Sequence, residues 1–423
     1  KQELDAVLQP SLAFLQQVTV STTSFSSSLE YKRVEFLSHW AAFYKHFGTE
    51  IVGQVLQRLL ALVEGRQGPE GAALQQRALD TLVSLGKGGA LSPAQLEALN
   101  TECGRLAPNL PPAARGKLVE ALASAVAACK ALEPAQQAQL IWGIMEQATA
   151  SFRVSELVQP NGAARLAAVL STAASAPGTP VSAAGGGGPD EPNFSKLREV
   201  RTLLHVFTGV VAKTVVAGAG SREDGQAGAD GTGAGVHVAA RVVQAWAPGV
   251  FALAESLSGL PAAVAAAGGA GPVVLAMPAE LELVSMRGAK GEEVKETLPA
   301  GIDARRVQAV RNILWEIRGA ACRAARACAA CPDFWAAPEA CSWLRSLAAG
   351  LAVQKPHVAD AALKDVFGPA FGRGGVSPNS RECLSGPMSA AAQTQLCSTV
   401  VPPLAASIGR LLGGLWAVSG AAA

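Results

Sequence analysis

Apolar residues recur along this chain at three- and four-residue steps far more often than at alternate positions, and that spacing predicts helices. In the run EYKRVEFLSHWAAFYKHF, the positions Val34, Phe36, Leu37, Trp40, Phe43, Tyr44 and Phe47 fall on one broad helical face. In the next run Ile51, Val52, Val55, Leu56, Leu59, Leu60 and Val63 keep the period more strictly. Glu50, Gln54, Gln57, Arg58 and Glu64 take most of its remaining positions. Between the two runs, Gly48 is expected to end the first helix with a positive φ and Thr49 to cap the second. So short a turn makes the helices antiparallel neighbours, an αα-hairpin. One hairpin cannot bury both apolar faces alone, so similar hairpins are expected to stack on either side of it.

The same spacing continues along the chain. Leu4 to Val18 reads as a helix, as does Ala72 to Leu85. Ser92 is an N-cap and Pro93 a first helical residue, opening a helix to Leu106. Pro111 or Pro112 opens the next, to Leu132, with Leu118, Val119, Leu122, Val126 and Ala127 on its face. Pro134 opens another, to Phe152, carrying Leu140, Ile141, Ile144, Met145 and Ala148. Helix pairs at a spacing of about 40 residues without a tight consensus predict an all-α fold, a HEAT-like helical-repeat solenoid. Two tracts interrupt it, Ala174 to Asn193 and Ala217 to Gly235, both rich in glycine and read as flexible loop insertions around a helix from Phe194 to Val216. Further helices are expected at His237 to Leu257, Asp303 to Ala330, Phe334 to Val353, His357 to Phe371 and Ser389 to Trp416. Met286 to Ala300 and Gly372 to Pro387 read as loops. The chain thus divides into repeats over 1–173, insertions over 174–235 and repeats over 236–423.

Composition supports this division of labour. Among 423 residues alanine and leucine dominate, aromatic residues are 5%, and the alternation expected of strands is missing. The mean hydropathy of +0.25 comes largely from alanine. The longest uncharged window, Ser256 to Ala279, contains Gly268, Gly269, Gly271 and two prolines, so membrane insertion is not expected. A net charge of +2 neither requires nor excludes an acidic or a nucleic-acid partner. The first residue is Lys1 and no secretory signal precedes it, which fits an internal fragment or a processed chain. Eight cysteines, several at helical positions, suit a reducing compartment.

Candidate chemistry is sparse. Cys328-Ala-Ala-Cys331, with Cys322 before it and Cys341 after it, has the spacing of half a zinc site or of a redox pair, but it lies in the alanine-rich string ACRAARACAAC. Inert helical cysteines are the favoured reading. His39 and His46 lack a third ligand, and His205, His237 and His357 are isolated. GAGSREDG, GTGAGVHV and Gly86-Lys87-Gly88-Gly89 lack the strand, spacing and hydroxyl of a phosphate loop. With no hydrolase, metalloprotease or calcium-loop string, an enzyme, a metal and a cofactor are not expected. The helix DARRVQAVRNILWEIRGAACRAARACAAC is different. Val307, Val310, Ile313, Leu314, Ile317 and Ala324 occupy one arc, and Arg305, Arg311, Arg318, Arg323 and Arg326 most of the other, with Glu316 the one acid after Asp303. Such a stripe reads either as a solvated face or as a contact for anionic cargo or an acidic protein surface.

Several stretches carry a family resemblance: GKLVEALASAVAACKALEPAQQAQLIWGIMEQATASF, TLLHVFTGVVAKTVV, QAVRNILWEIRGAACRAA and VVPPLAASIGRLLGGLWA. In order and helical character they resemble the middle and C-terminal part of karyopherins of the exportin-5/Hasty type, in the importin-β superfamily. That resemblance implies a HEAT-repeat superhelix and a nuclear export receptor shuttling between nucleus and cytoplasm. Its partners would be Ran-GTP, nuclear pore proteins and structured small RNA such as pre-microRNA, or protein cargo. The glycine-rich insertions depart from the family pattern, and the family's first Ran-binding repeats have no counterpart here. Another importin-β relative carrying protein or transfer RNA, or an unrelated HEAT scaffold for protein complexes, remains the alternative.

Overall fold

The computed structural model describes residues 27–46, 48–65, 69–159, 161–175, 192–220, 238–267, 275, 304–351, 359, 362–367, 394 and 397–421. These residues are helical almost throughout, and no strand occurs among them, so the fold class is all-α as the apolar spacing predicts. The α-helices are α1 (Ser27–His39), α2 (Thr49–Glu64), α3 (Pro69–Lys87), α4 (Pro93–Leu106), α5 (Pro112–Ala128) and α6 (Pro134–Val154), followed by α7 (Gly162–Ser175) and α8 (Pro192–Gly220). Beyond them lie α9 (Ala240–Ala267), α10 (Ala304–Ala330), α11 (Ala340–Gly350) and α12 (Val401–Ala421). The chain divides into two compact units, Lys1–Met145 with Gly209–Ala239, and Glu146–Thr208 with Ala240–Ala423. The boundaries fall inside α6, inside α8 and at the start of α9, and the glycine-rich tracts lie mostly outside the described residues.

In the first unit α3 is central, packed against α1, α2, α5 and a 3-10 turn at Ala41–His46. Besides the consecutive pairs α2–α3 and α4–α5, helices two apart meet, α1 with α3, α2 with α4 and α3 with α5. Every apolar position predicted on α2, from Ile51 to Val63, is buried, and Leu62 joins them. At the start of α4 the capping box is complete. The Gln95 N–H donates to Ser92 Oγ at 3.4 Å and the Ser92 N–H donates to Gln95 Oε1 at 3.0 Å. Gln95 Nε2 also donates to the Thr49 carbonyl at 2.6 Å, tying the start of α4 to the start of α2.

Two local expectations are corrected here. The aromatic run does not form one helix to Phe47; α1 ends at His39, and a 3-10 turn follows. The break swings Tyr44 fully inside, where its hydroxyl donates to the Leu37 carbonyl at 3.2 Å. Leu37 lies in the last turn of α1, where carbonyls lack an intrahelical donor, so the turn satisfies two groups at once. Burial pushes the Tyr44 phenol well above its ordinary pKa. Gly48, at φ −65° and ψ 150°, is the extended N-cap of α2 and uses no positive φ, while Thr49 is the first helical residue and not the cap.

Small residues set the approach of α3 to α5. A Cβ on Gly86 would stand 2.8 Å from the Ala121 carbonyl oxygen and 3.0 Å from the Ala125 nitrogen. A Cβ on Gly89, which has φ +63°, would stand 2.9 Å from the Ala128 carbonyl oxygen. The Gly-Lys-Gly-Gly string is therefore a close helix crossing with a left-handed end, which accounts for its glycines without a phosphate. The first unit also buries charge. Arg58 Nε and Nη2 both donate to Glu30 Oε1, at 3.1 and 2.8 Å, and Arg33 Nη1 stands 3.7 Å from Glu30 Oε2.

In the second unit α9 is central, packed against α7, α10, α11 and 3-10 turns at Glu156–Val158 and Pro332–Ala336. Trp246 on α9 stacks between Phe152, at 4.3 Å, and Phe207, at 4.7 Å. Its indole N–H donates to Thr149 Oγ1 at 2.7 Å, so this fully buried ring is satisfied on faces and edge alike. Farther along, Phe251 stacks on Phe334 and Trp343. α9 is long and apolar enough to cross a membrane by length and composition. Trp246, Val250, Leu253, Leu260 and Val264 on it are nonetheless buried inside the unit. α12 lies on α11, where Ser407 donates to the Ala348 carbonyl at 2.8 Å.

Other boundaries shift modestly. The helix expected to reach Leu132 stops at Ala128, where Cys129 turns extended. α8 runs through Ala217–Gly220, which the composition assigned to a loop. The helix expected from Phe334 is, among the described residues, a 3-10 turn at Pro332–Ala336 followed by α11. Leu4 to Val18, Met286 to Ala300 and Gly372 to Pro387 lie outside the described residues, as does most of His357 to Phe371.

Candidate functional site

α10 forms because 27 residues carry neither a proline nor, before Gly319, a glycine, and alanine and arginine are strong helix formers. Its apolar arc is as expected. Val307, Val310, Ile313, Leu314, Ile317 and Ala324 are all buried, against α9, α7 and a π turn at Leu363–Phe367.

The arginines do not share one solvent face. Arg311 is only 8% exposed. Arg318 has its Nε buried with no hydrogen-bond partner, and burial pushes its guanidinium down to about 10. It is still a cation at neutral pH. Arg323 is exposed and folds over Gly319, with Nη1 3.2 Å from where a Cβ would stand. Arg326 is half-buried, and the Arg305 side chain lies outside the described residues. The reason is angular. Positions 311 and 318 lie two turns apart at the margin of the apolar arc, beside Leu314 and Ala325, and so are drawn inside with it.

Electrostatics sharpen the picture. The one carboxylate of α10, Glu316, pairs with Arg201 of α8 and is thereby occupied away from the arginines. Burial and the Cys322 thiol are the influences on Arg318, and no carboxylate acts on it. Trp315, 49% exposed, lies between Arg311 and Arg318 at helical spacing, and Cys322 continues the same line towards Arg326. Trp315 is absent from the sequence-based candidates, and Cys322 figures there only beside the Cys328 and Cys331 pair. Their signal is the series 311, 315, 318, 322, 326, which steps by four, three, four and four residues along one line of the helix.

The other candidates have structural explanations. Cys328 is in the core with its thiol pushed well above the ordinary value by burial, and Cys331 is pushed up to about 12 for the same reason. A zinc ligand or redox nucleophile must be a thiolate, and burial here favours the opposite form. Among the described residues no three His, Cys, Asp or Glu side chains gather in a way that could hold a metal. His39 Nδ1 lies 2.7 Å from the Glu35 carbonyl in the last turn of α1; His46 and His205 are exposed, and His237 and His357 lie outside the described residues. No protein-family model matches the chain, and no curated protein is recognisably similar to it in sequence.

Proposed function

We propose that this chain is a HEAT-like helical-repeat scaffold that holds a macromolecular partner against a helix face and performs no catalysis. Support for the repeat reading is the alternate-helix packing of α1 to α5, in which each helix meets the next but one. The observation that carries the binding reading is Arg318, a desolvated cation with no carboxylate to balance it. Native-state hydrogen exchange tests the repeat part. Repeat arrays open by graded, local steps, so protection across α1 to α5 is expected to fall off away from α3. One uniform opening free energy across all five helices would count against it.

A narrower reading is favoured by the same cationic helix: a nuclear transport receptor fragment of the exportin type. In it, Ran-GTP binding is coupled to structured small RNA or protein cargo, with nuclear pore proteins as further partners and shuttling between nucleus and cytoplasm. Equilibrium binding of a hairpin RNA with a 3′ overhang, with and without Ran carrying a non-hydrolysable GTP analogue, tests it. Each ligand should tighten the other by the same factor. Ran binding with indifference to RNA points to a protein-cargo or transfer-RNA relative, and binding of neither leaves the generic scaffold.

A further inference from the structure

We propose that the aromatic corner where the 3-10 turn at Pro332–Ala336 meets α11 is a docking site for a proline-rich segment of a partner protein that carries a basic residue beside its prolines. The corner is held together by ring packing. Phe334 of the turn and Phe251 of α9 are both buried and stack at 5.7 Å, forming its floor. Trp343 of α11 stacks on Phe251 at 5.6 Å and leans against Phe334 at 6.0 Å, while Trp335 meets the Phe334 ring almost at a right angle at 5.1 Å. Both tryptophans are only half-buried, so part of each stays in water above a fixed apolar floor.

Two polar groups at this corner are unspent. Trp335 donates its indole N–H to the Ala329 carbonyl at 2.9 Å, which fixes that ring. Trp343 has no acceptor for its own N–H, and that group is not shut away from solvent. Glu339 stands one turn before Trp343 on the same side of α11; it is exposed, and no cation or donor engages its carboxylate. The corner thus offers apolar ring surface, one donor and one negative charge. A polyproline II segment matches all three. Its pyrrolidine rings pack on aromatic side chains, and its backbone carbonyls have no internal donor, so one can accept from Trp343 without breaking a bond of its own. A basic residue beside the prolines then meets Glu339. A helical partner is a poorer match, because its carbonyls are already paired along the helix. So is a cation in an aromatic cage. That ligand needs ring faces turned towards it, whereas Trp343 gives a face to Phe251 and Trp335 stands edge-on to Phe334.

This proposal goes beyond the scaffold reading, since it needs only the aromatic corner of the second unit, and the hydrogen-exchange test of α1 to α5 bears on that reading alone. The probe is a peptide of about ten residues, mostly proline, with one arginine at its end. A twin with Gln in place of that arginine, a Gly-Ser peptide of equal length with the same arginine, and a Gly-Ser peptide with trimethyl-lysine complete the set, each titrated against the full chain. The proline peptide is expected to bind at least roughly tenfold tighter than the Gly-Ser peptide with arginine, because it is ordered beforehand. It should also bind roughly threefold tighter than its Gln twin. Trp343→Phe, which keeps a ring on Phe251 and has no N–H, should weaken the proline peptide about fivefold. Its melting temperature serves as the folding control. Glu339→Gln, a change at an exposed position, should leave the proline preference in place and erase the preference for arginine over Gln. In the wild type the Trp343 indole N–H resonance, assigned by its loss in Trp343→Phe, should move during the titration. Equal binding of the proline and Gly-Ser peptides, binding of neither, or an unmoved Trp343 resonance overturns the proposal. Tighter binding of the trimethyl-lysine peptide than of the proline peptide also overturns it, in favour of a cation cage.

Discussion

The first unit lays Arg33 and Arg58 on the carboxylate of Glu30 and Arg77 beside Glu35. The second buries most of the Arg318 guanidinium next to the Cys322 thiol, with no carboxylate acting on it. Both arrangements take guanidinium groups out of water, and the difference lies in where the compensating charge comes from. A buried cation with an internal partner is part of folding, because removing either member leaves the other stranded. One without an internal partner destabilises its own fold and favours association with something that carries the missing charge. The two units differ in the same sense in their packing. The first brings helices close with glycine and alanine at Gly86, Gly89, Ala121 and Ala125, and the second adds to its own close glycines, Gly249 and Gly350, a central stack of rings at Phe152, Trp246 and Phe207.

The largest expected effect sharpens the packing contrast. Trp246→Ala should cost about 4 kcal/mol, because it opens a cavity between two rings and frees the Thr149 hydroxyl. Chemical denaturation followed by hydrogen exchange should place the loss in the second unit, and a loss below about 1 kcal/mol would mean that the stack is not the core of that unit. Next is Glu30→Ala, at about 3 kcal/mol, since the buried Arg33 and the half-buried Arg58 lose their shared carboxylate. If Glu30→Ala proves neutral in a urea titration, the contrast drawn between the two units' charges collapses.

Gly86→Ala is expected to cost about 2 kcal/mol through overpacking, as the added methyl meets backbone atoms of α5 that cannot rotate away. A stabilising Gly86→Ala, by the usual gain in helix propensity, would show that the α3 and α5 crossing yields easily. Ser92→Ala should cost about 1 kcal/mol by removing one half of the capping box. The smallest effect concerns Glu64, whose carboxyl Arg105 holds below the usual range by hydrogen bonding. A lowered folded-state pKa contributes stability above the unfolded carboxylate value and loses it as pH falls through the folded one. The melting-temperature gap between wild type and Arg105→Met should therefore be small at neutral pH and close on acidification. A gap that widens in acid would contradict the pairing.

Much of the fold was legible because its signals are local. The three- and four-residue spacing from Ile51 to Val63 names the buried face of α2 with one omission, Leu62, and Ser-Pro-Ala-Gln at 92–95 marks a helix start by residue type alone. The end of α1 was not legible, because the chain breaks there to place Tyr44 beneath the Leu37 carbonyl, a gain that exists only once α3 covers both. The arginine stripe was half legible. Periodicity separated it from the apolar arc, but only the neighbours of α10 decide that Arg311 is withdrawn and Arg323 is left in water.

Helical period, capping residues and the near absence of strand-forming alternation were determined by the sequence alone, since each depends on residues within a turn or two of one another. Tertiary structure decided which cations keep a partner. Glu30 reaches Arg58, and Glu316 reaches Arg201, across 28 and 115 residues of chain. A charge is balanced by whatever carboxylate packing brings within a few ångströms, and distance along the sequence does not predict that separation.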